Sequence, residues 1–260
     1  MKRLNANLRK IIFCLLTFSL FTFLTENSIY AQPKEREYWP TKGWKTSIPE
    51  KQGVDSAKLL IAEEFIQNRL PDAYSLLVVK NGYLVFEKYY SRGSREKYAV
   101  VHSVTKSFTS ALIGIALDKG YLKSVDQKLI EFFPEYITDD LDPKKKEIRL
   151  NHLLTMSAGF RWNDRRPLMR FWYTSPNWAK FTIQLPLEEN PGVAFNYNSS
   201  ASHLLSVILS KSVKMSTLDF AKQNLFEPLG IESAYWHQDP QGFNNGGFGL
   251  GLSARDLAKI

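Results

Sequence analysis

The sequence predicts an α+β fold, and three observations predict it. Ser75 to Lys80 and Tyr83 to Tyr90 are β-rich runs joined by Asn81-Gly82, the strongest short hairpin signal. An apolar helix follows, with Phe108, Leu112 and Ile115 on one stripe and Ala111 and Ala116 alongside, closing near Lys119-Gly120. Beyond Gly120 the chain turns helical and loop-rich. Strands first and helices afterwards, without strict alternation, is an α+β pattern.

The first segment lies outside that fold. Lys2, Arg3, Arg9 and Lys10 form a basic start, Ile11 to Leu24 an apolar run, and Ala31 a small residue suited to cleavage. Residues 1–31 therefore read as a signal peptide, too short in its apolar part to span a membrane stably, which needs about 20 residues. The expected protein is exported, periplasmic or secreted, with no stable membrane insertion after cleavage. Cys14, the only cysteine among 260 residues, falls inside that run. The mature chain can then form no disulfide, thiol nucleophile or thiolate metal site. The net charge of +8 falls to +5 once those four basic residues and Glu26 are removed. That mild excess, with no basic stripe of interleaved aromatics, excludes an obvious nucleic-acid module.

Residues 32–54, rich in Pro, Trp and Lys, read as an irregular arm. Asp55 caps a helix carrying Leu59, Ala62, Phe65 and Ile66 on one side, ended by Pro71-Asp72. After the apolar helix that closes near Gly120, Asp126 to Phe133 reads as a short helix stopped by Pro134, and 139–147 as a solvated charged loop. Another helix starts at Asn151. Residues 160–181 crowd together Phe160, Trp162, Phe171, Trp172, Tyr173, Trp178 and Phe181 among arginines. This is either a substrate groove, with Trp172 on its wall, or an aromatic core beneath basic surface residues. Helices follow at Ser200 to Ser210 and Leu218 to Leu225. Asn244 to Gly251 reads as a glycine-rich loop leading to a helix near Ser253, and its lack of a preceding strand argues against nucleotide binding.

Chemistry concentrates at Ser103-Val104-Thr105-Lys106. A hydroxyl and an amine three residues apart on a helix share a face, so the amine can take the hydroxyl proton and make serine a nucleophile. A helix start also offers unpaired N–H groups to an oxyanion. The plain alternative is an N-cap serine, worth about 1 kcal/mol. A second copy of the pattern, Ser94-Arg95-Glu96-Lys97, sits in a polar turn. Other constellations fail. Thr155-Met156-Ser157-Ala158-Gly159 misses the nucleophile-elbow pattern at its first position. His102, His152, His203 and His237 lack metal-ligand spacing, and His102 points away from its neighbour Ser103 on a helix. No metal and no cofactor are expected.

These pieces resemble the serine β-lactamase and penicillin-binding-protein superfamily, in its class C-like branch of esterases, D-alanyl-D-alanine carboxypeptidases and 6-aminohexanoate-dimer hydrolases. Residues 103–110 are similar to its nucleophile helix and Leu153 to Phe160 to its next signature. Pro191 to Ser199 looks like its tyrosine motif, and Phe226 to Ile231 like a later one. The resemblance implies an antiparallel sheet flanked by helices: residues 55–120 open an α/β domain, 121–225 form an inserted, mostly helical domain, and 226–260 begin the return. It also implies that Ser103 is acylated, that Lys106 and Tyr197 share the proton work, that the Ser103 N–H is one oxyanion donor, and that Ser199 binds substrate. The expected partner is a small-molecule or peptide-like ester or amide.

Two departures qualify it. Ser199 stands where the family often has Asn. A third motif, Lys or His, Ser or Thr, then Gly, is absent after Tyr197, and with it the last sheet strands and the second oxyanion donor are expected to be missing. The leading expectation is an exported serine hydrolase. The rival is a non-catalytic fragment or a cell-wall- or peptide-binding protein of the same ancestry.

Overall fold

In a computed structural model, residues 38–165 and 167–260 are described. The expected signal peptide and the first part of the arm lie outside them. From Pro40 onward the arm contributes two short 3-10 turns, Pro40–Lys42 and Pro49–Gln52. Its Ser47 N–H donates to the Leu84 carbonyl, laying the arm against the first hairpin.

Helix α1 (Ser56–Arg69) starts where expected, with the Asp55 carboxylate accepting from the Ala57 N–H at 2.9 Å. Its apolar side is only partly covered. Leu59 is buried, whereas Phe65 is 58% exposed, along with Leu60 and Ile61. Strands β1 (Ser75–Lys80) and β2 (Tyr83–Tyr89) pair antiparallel through Lys80↔Tyr83. The connecting Asn81 and Gly82 have φ of 52° and 84°, the left-handed pair a two-residue turn of this twist requires.

A second sheet was not foreseen. Strand β3 (Tyr98–Val100) follows the polar turn at 91–97. It pairs with β5 (Leu250–Ser253), which also pairs with β4 (Tyr235–Trp236), giving the order β3-β5-β4, all antiparallel. The glycine-rich segment therefore ends in a buried strand, not in a loop. These strands are only two to four residues long, and β5 contains a glycine, so neither periodicity nor β-branched content marks them. Ser253 then caps a short helix, Ala254–Leu257, by accepting from the Asp256 N–H.

The core is helical. Helix α2 (Thr105–Asp118) buries Phe108, Leu112, Ile113 and Ala116 against α6 (Ser199–Val213), of whose fifteen residues thirteen are buried. Between them in the chain come α3 (Leu150–Leu154), α4 (Leu168–Thr174) and α5 (Trp178–Gln184). The helix expected over Asp126 to Phe133 is only a 3-10 turn, Leu129–Glu131, because the Leu129 N–H is taken by the Ile148 carbonyl across the chain. Helix α7 (Thr217–Ala221) continues into a π turn, Lys222–Phe226. Among the described residues no helix is long and apolar enough to cross a membrane.

Candidate active site

Ser103 sits at the bend where β3 turns into α2. Val101 still belongs to the sheet, its N–H donating to the Leu250 carbonyl at 2.8 Å. His102 takes a left-handed φ of 45°, and a 3-10 turn, His102–Val104, precedes the helix. Val104 is the first N–H to bond back, to the Val101 carbonyl at 3.1 Å. The Ser103 N–H is thus at the unpaired end of the helix. Ser103 and His102 are exposed, while Thr105 is buried and Lys106 half-buried.

Lys106 is the hub. Its Nζ lies 3.2 Å from Ser103 Oγ, 3.0 Å from Ser199 Oγ and 2.7 Å from the Gly247 carbonyl. Its Nζ also stands 4.8 Å from the centroid of the Tyr197 ring. Ser103, Lys106, Tyr197 and Ser199 are therefore brought together around one amine, and Tyr197 meets it through its ring face.

Trp172 does not join them. It is fully buried, its Nε1 donating to the Trp178 carbonyl at 3.2 Å, with the Trp162, Trp178 and His203 rings and Phe248 packed around it. An indole sealed on every side is core, so the aromatic crowd divides. Its tryptophans hold the fold behind the site, and Phe171 and Tyr173 are exposed.

Three elements align these groups. Helix α6 is capped by Asn198, whose side chain accepts from the Ala201 N–H, and this fixes Tyr197 and Ser199 on either side of the cap. The stretch before it is knitted to residues 156–162: the Asn196 N–H donates to the Met156 carbonyl, and its amide to the carbonyls of Phe160 and Trp162. The glycine-rich segment supplies the third wall. A Cβ on Gly246 would stand 2.4 Å from the Ser202 carbonyl oxygen, and one on Gly247 2.7 Å from that of Ser199. Only glycine lets this backbone press against α6 and aim a carbonyl at Lys106. The Asn245 side chain shapes the turn by accepting from the Gly247 and Phe248 N–H groups. Thr109 bonds the Gly246 carbonyl, and Thr105 accepts from the Leu250 N–H, locking α2 to the same segment.

Sequence reasoning missed Gly247 and Asp164. The Asp164 carboxylate accepts from the Ser199 hydroxyl at 2.6 Å and from the Ser199 N–H at 3.1 Å, and also from the Trp162 indole. The run of glycines was a usable signal for the first. Nothing in the spacing marked the second.

Comparison with known proteins shows the family and the fold. Residues 61–258 match the family model described as Beta-lactamase. The chain belongs to the β-lactamase family. A protein of Salmonella agona, provisionally named a D-alanyl-D-alanine carboxypeptidase, is 24% identical over 257 residues, covering 88% of this chain and 56% of the relative. The chain thus spans about half the length of the curated relatives it matches. A Bacillus anthracis structure, provisionally named a 6-aminohexanoate-dimer hydrolase, superposes with a TM-score of 0.65 at 18% identity, covering 76% of this chain and 54% of that one. A class C β-lactamase does so with 0.61 at 18% identity, covering 81% and 64%. Both share the α+β fold of this chain.

Proposed function

We infer that this chain carries the acylating centre of an exported serine hydrolase acting on small-molecule or peptide-like esters or amides. One observation carries the reading: the Lys106 amine stands 3.2 Å from Ser103 Oγ and is fixed there by two further acceptors. In its neutral form Lys106 takes the hydroxyl proton as Oγ bonds to the substrate carbonyl carbon. The C=O electron pair moves onto oxygen, which the Ser103 N–H faces as a donor. On collapse the bond to the leaving group breaks, and that group departs with the proton that Lys106, 3.2 Å from Ser103 Oγ, gives back. Water then attacks the ester carbonyl, giving one proton back to Ser103 and releasing the acid.

The names of the relatives suggest D-alanyl peptides and linear amides as first substrates to try. Turnover of a p-nitrophenyl ester by the wild type and by Ser103→Ala tests the mechanism, with labelling by a fluorophosphonate as a second readout. Loss of both in the variant is expected, and equal rates in the two proteins would falsify it. Export is tested separately. The secreted protein should begin at Gln32, and an intact N-terminus would refute cleavage after Ala31.

A further inference from the structure

Asp164 reaches none of the reacting atoms, yet it fixes which way the hydrogen bonds around Lys106 run. We propose that Asp164 is a positioning residue that acts through Ser199 to aim the Lys106 lone pair at Ser103; this rests on the acylation mechanism above. A carboxylate has no proton to give, so at 2.6 Å the Ser199 hydroxyl must be the donor. Its oxygen is then free to accept, and Lys106, at 3.0 Å, is obliged to donate. The Gly247 carbonyl, at 2.7 Å, likewise can only accept. A neutral amine has two N–H bonds and one lone pair, and both N–H bonds are now committed. The remaining direction faces Ser103 Oγ at 3.2 Å. The Oγ–H bond breaks toward that lone pair, the proton forms a third N–H on Lys106, and the Oγ electron pair goes to the carbonyl carbon.

Replacing Asp164 by Asn reverses the relay without removing its scaffold. The oxygen that accepts from the Ser199 N–H and the Trp162 indole must stay an acceptor, so the amide oxygen takes that place. The new NH2 then faces Ser199 Oγ as a donor. The Ser199 hydroxyl proton turns away from residue 164 and toward Lys106, where it occupies the lone pair. Acylation is disarmed although every heavy atom can keep its place.

The test is a double-mutant cycle on ester hydrolysis with Asp164→Asn, Ser199→Ala and both together. Asp164→Asn alone should lower kcat about 10- to 100-fold with KM little changed, and Asp164→Glu should recover part of the loss. In the Ser199→Ala background the same change should matter less than about 3-fold, because the relay is already cut. An equal loss in both backgrounds would overturn the proposal and leave Asp164 a mere brace. The Lys106 Nζ resonance of 15N-lysine-labelled protein reads the same cycle without turnover. A shift with Asp164→Asn that vanishes in the Ser199→Ala background supports the relay, and no shift in either refutes it. If the wild type fails to hydrolyse the ester, the hydrolase reading falls, while the resonance still decides the role of Asp164.

Discussion

His102 and Lys106 constrain Ser103 from two sides, one through the backbone and one through the proton. The left-handed φ of 45° at His102 lets the chain leave β3 and enter α2 within a single turn. Histidine tolerates that region better than a β-branched residue does. His102→Val should therefore cost about 1–2 kcal/mol, read as a lower midpoint in urea, whereas His102→Gly should cost little. If valine is tolerated as well as glycine, the bend is not strained. Lys106 is the only amine within reach of Ser103 Oγ among the described contacts. Lys106→Met keeps the aliphatic stem and removes the base. Fluorophosphonate labelling of Ser103 should slow about 10²- to 10⁴-fold, the usual worth of a positioned acid–base group, while circular dichroism stays unchanged.

At the scale of elements, the site is an alignment of α2, α6 and the glycine-rich approach to β5. Gly247 joins them, since its carbonyl reaches Lys106 only while its Cα rests on the Ser199 backbone. Gly247→Ala must push the segment away from α6, because a Cβ 2.7 Å from a carbonyl oxygen has no side chain to displace. A shift of that kind should lower kcat about tenfold or more, with the stability loss remaining small enough to keep the protein folded at room temperature. Unchanged kcat would show that the carbonyl does not hold Lys106 in place. The contrast between α2 and this segment also explains what could be read in advance. The Ser103 helix and the Asn81-Gly82 hairpin declare themselves through local period and turn chemistry, and Ser103 and Lys106 are one helical turn apart. Tyr197 and Ser199 were found only by resemblance, since 91 residues or more separate them from that turn. Strands β3, β4 and β5 exist through one another, each too short to show a pattern alone. Asp164 acts through a hydrogen-bond direction, which leaves no trace in spacing. Trp172 was misplaced because an aromatic cluster looks the same in sequence whether it lines a groove or fills a core.

Over the whole molecule, the first hairpin is tied to the end of the chain by one ion pair. The Arg255 guanidinium grips Glu87 with both forks, Nε to Oε1 and Nη2 to Oε2, each at 2.6 Å. The Tyr89 hydroxyl donates to the same carboxylate. Hydrogen bonding from Arg255 outweighs burial and holds the Glu87 carboxyl at about 2, against an ordinary 4.5. A depressed carboxyl stabilises the fold fully above its unfolded value, and the contribution disappears as pH falls from 4.5 toward about 2. Burial, reinforced by Glu87, pushes the Tyr89 phenol up from 10.0 to about 12, so its contribution is lost in the opposite direction, as pH climbs through that range. The acid window is the more accessible. Because Glu87 keeps only 13% of its side-chain surface exposed, the pair should be worth on the order of 2–3 kcal/mol near neutrality. Urea unfolding of the wild type and Glu87→Gln checks this at about pH 7 and about pH 2. The wild type should lead by that margin at the higher pH, and the two curves should converge at the lower one. A gap that survives acidification would mean that glutamate stabilises the junction by shape instead of charge.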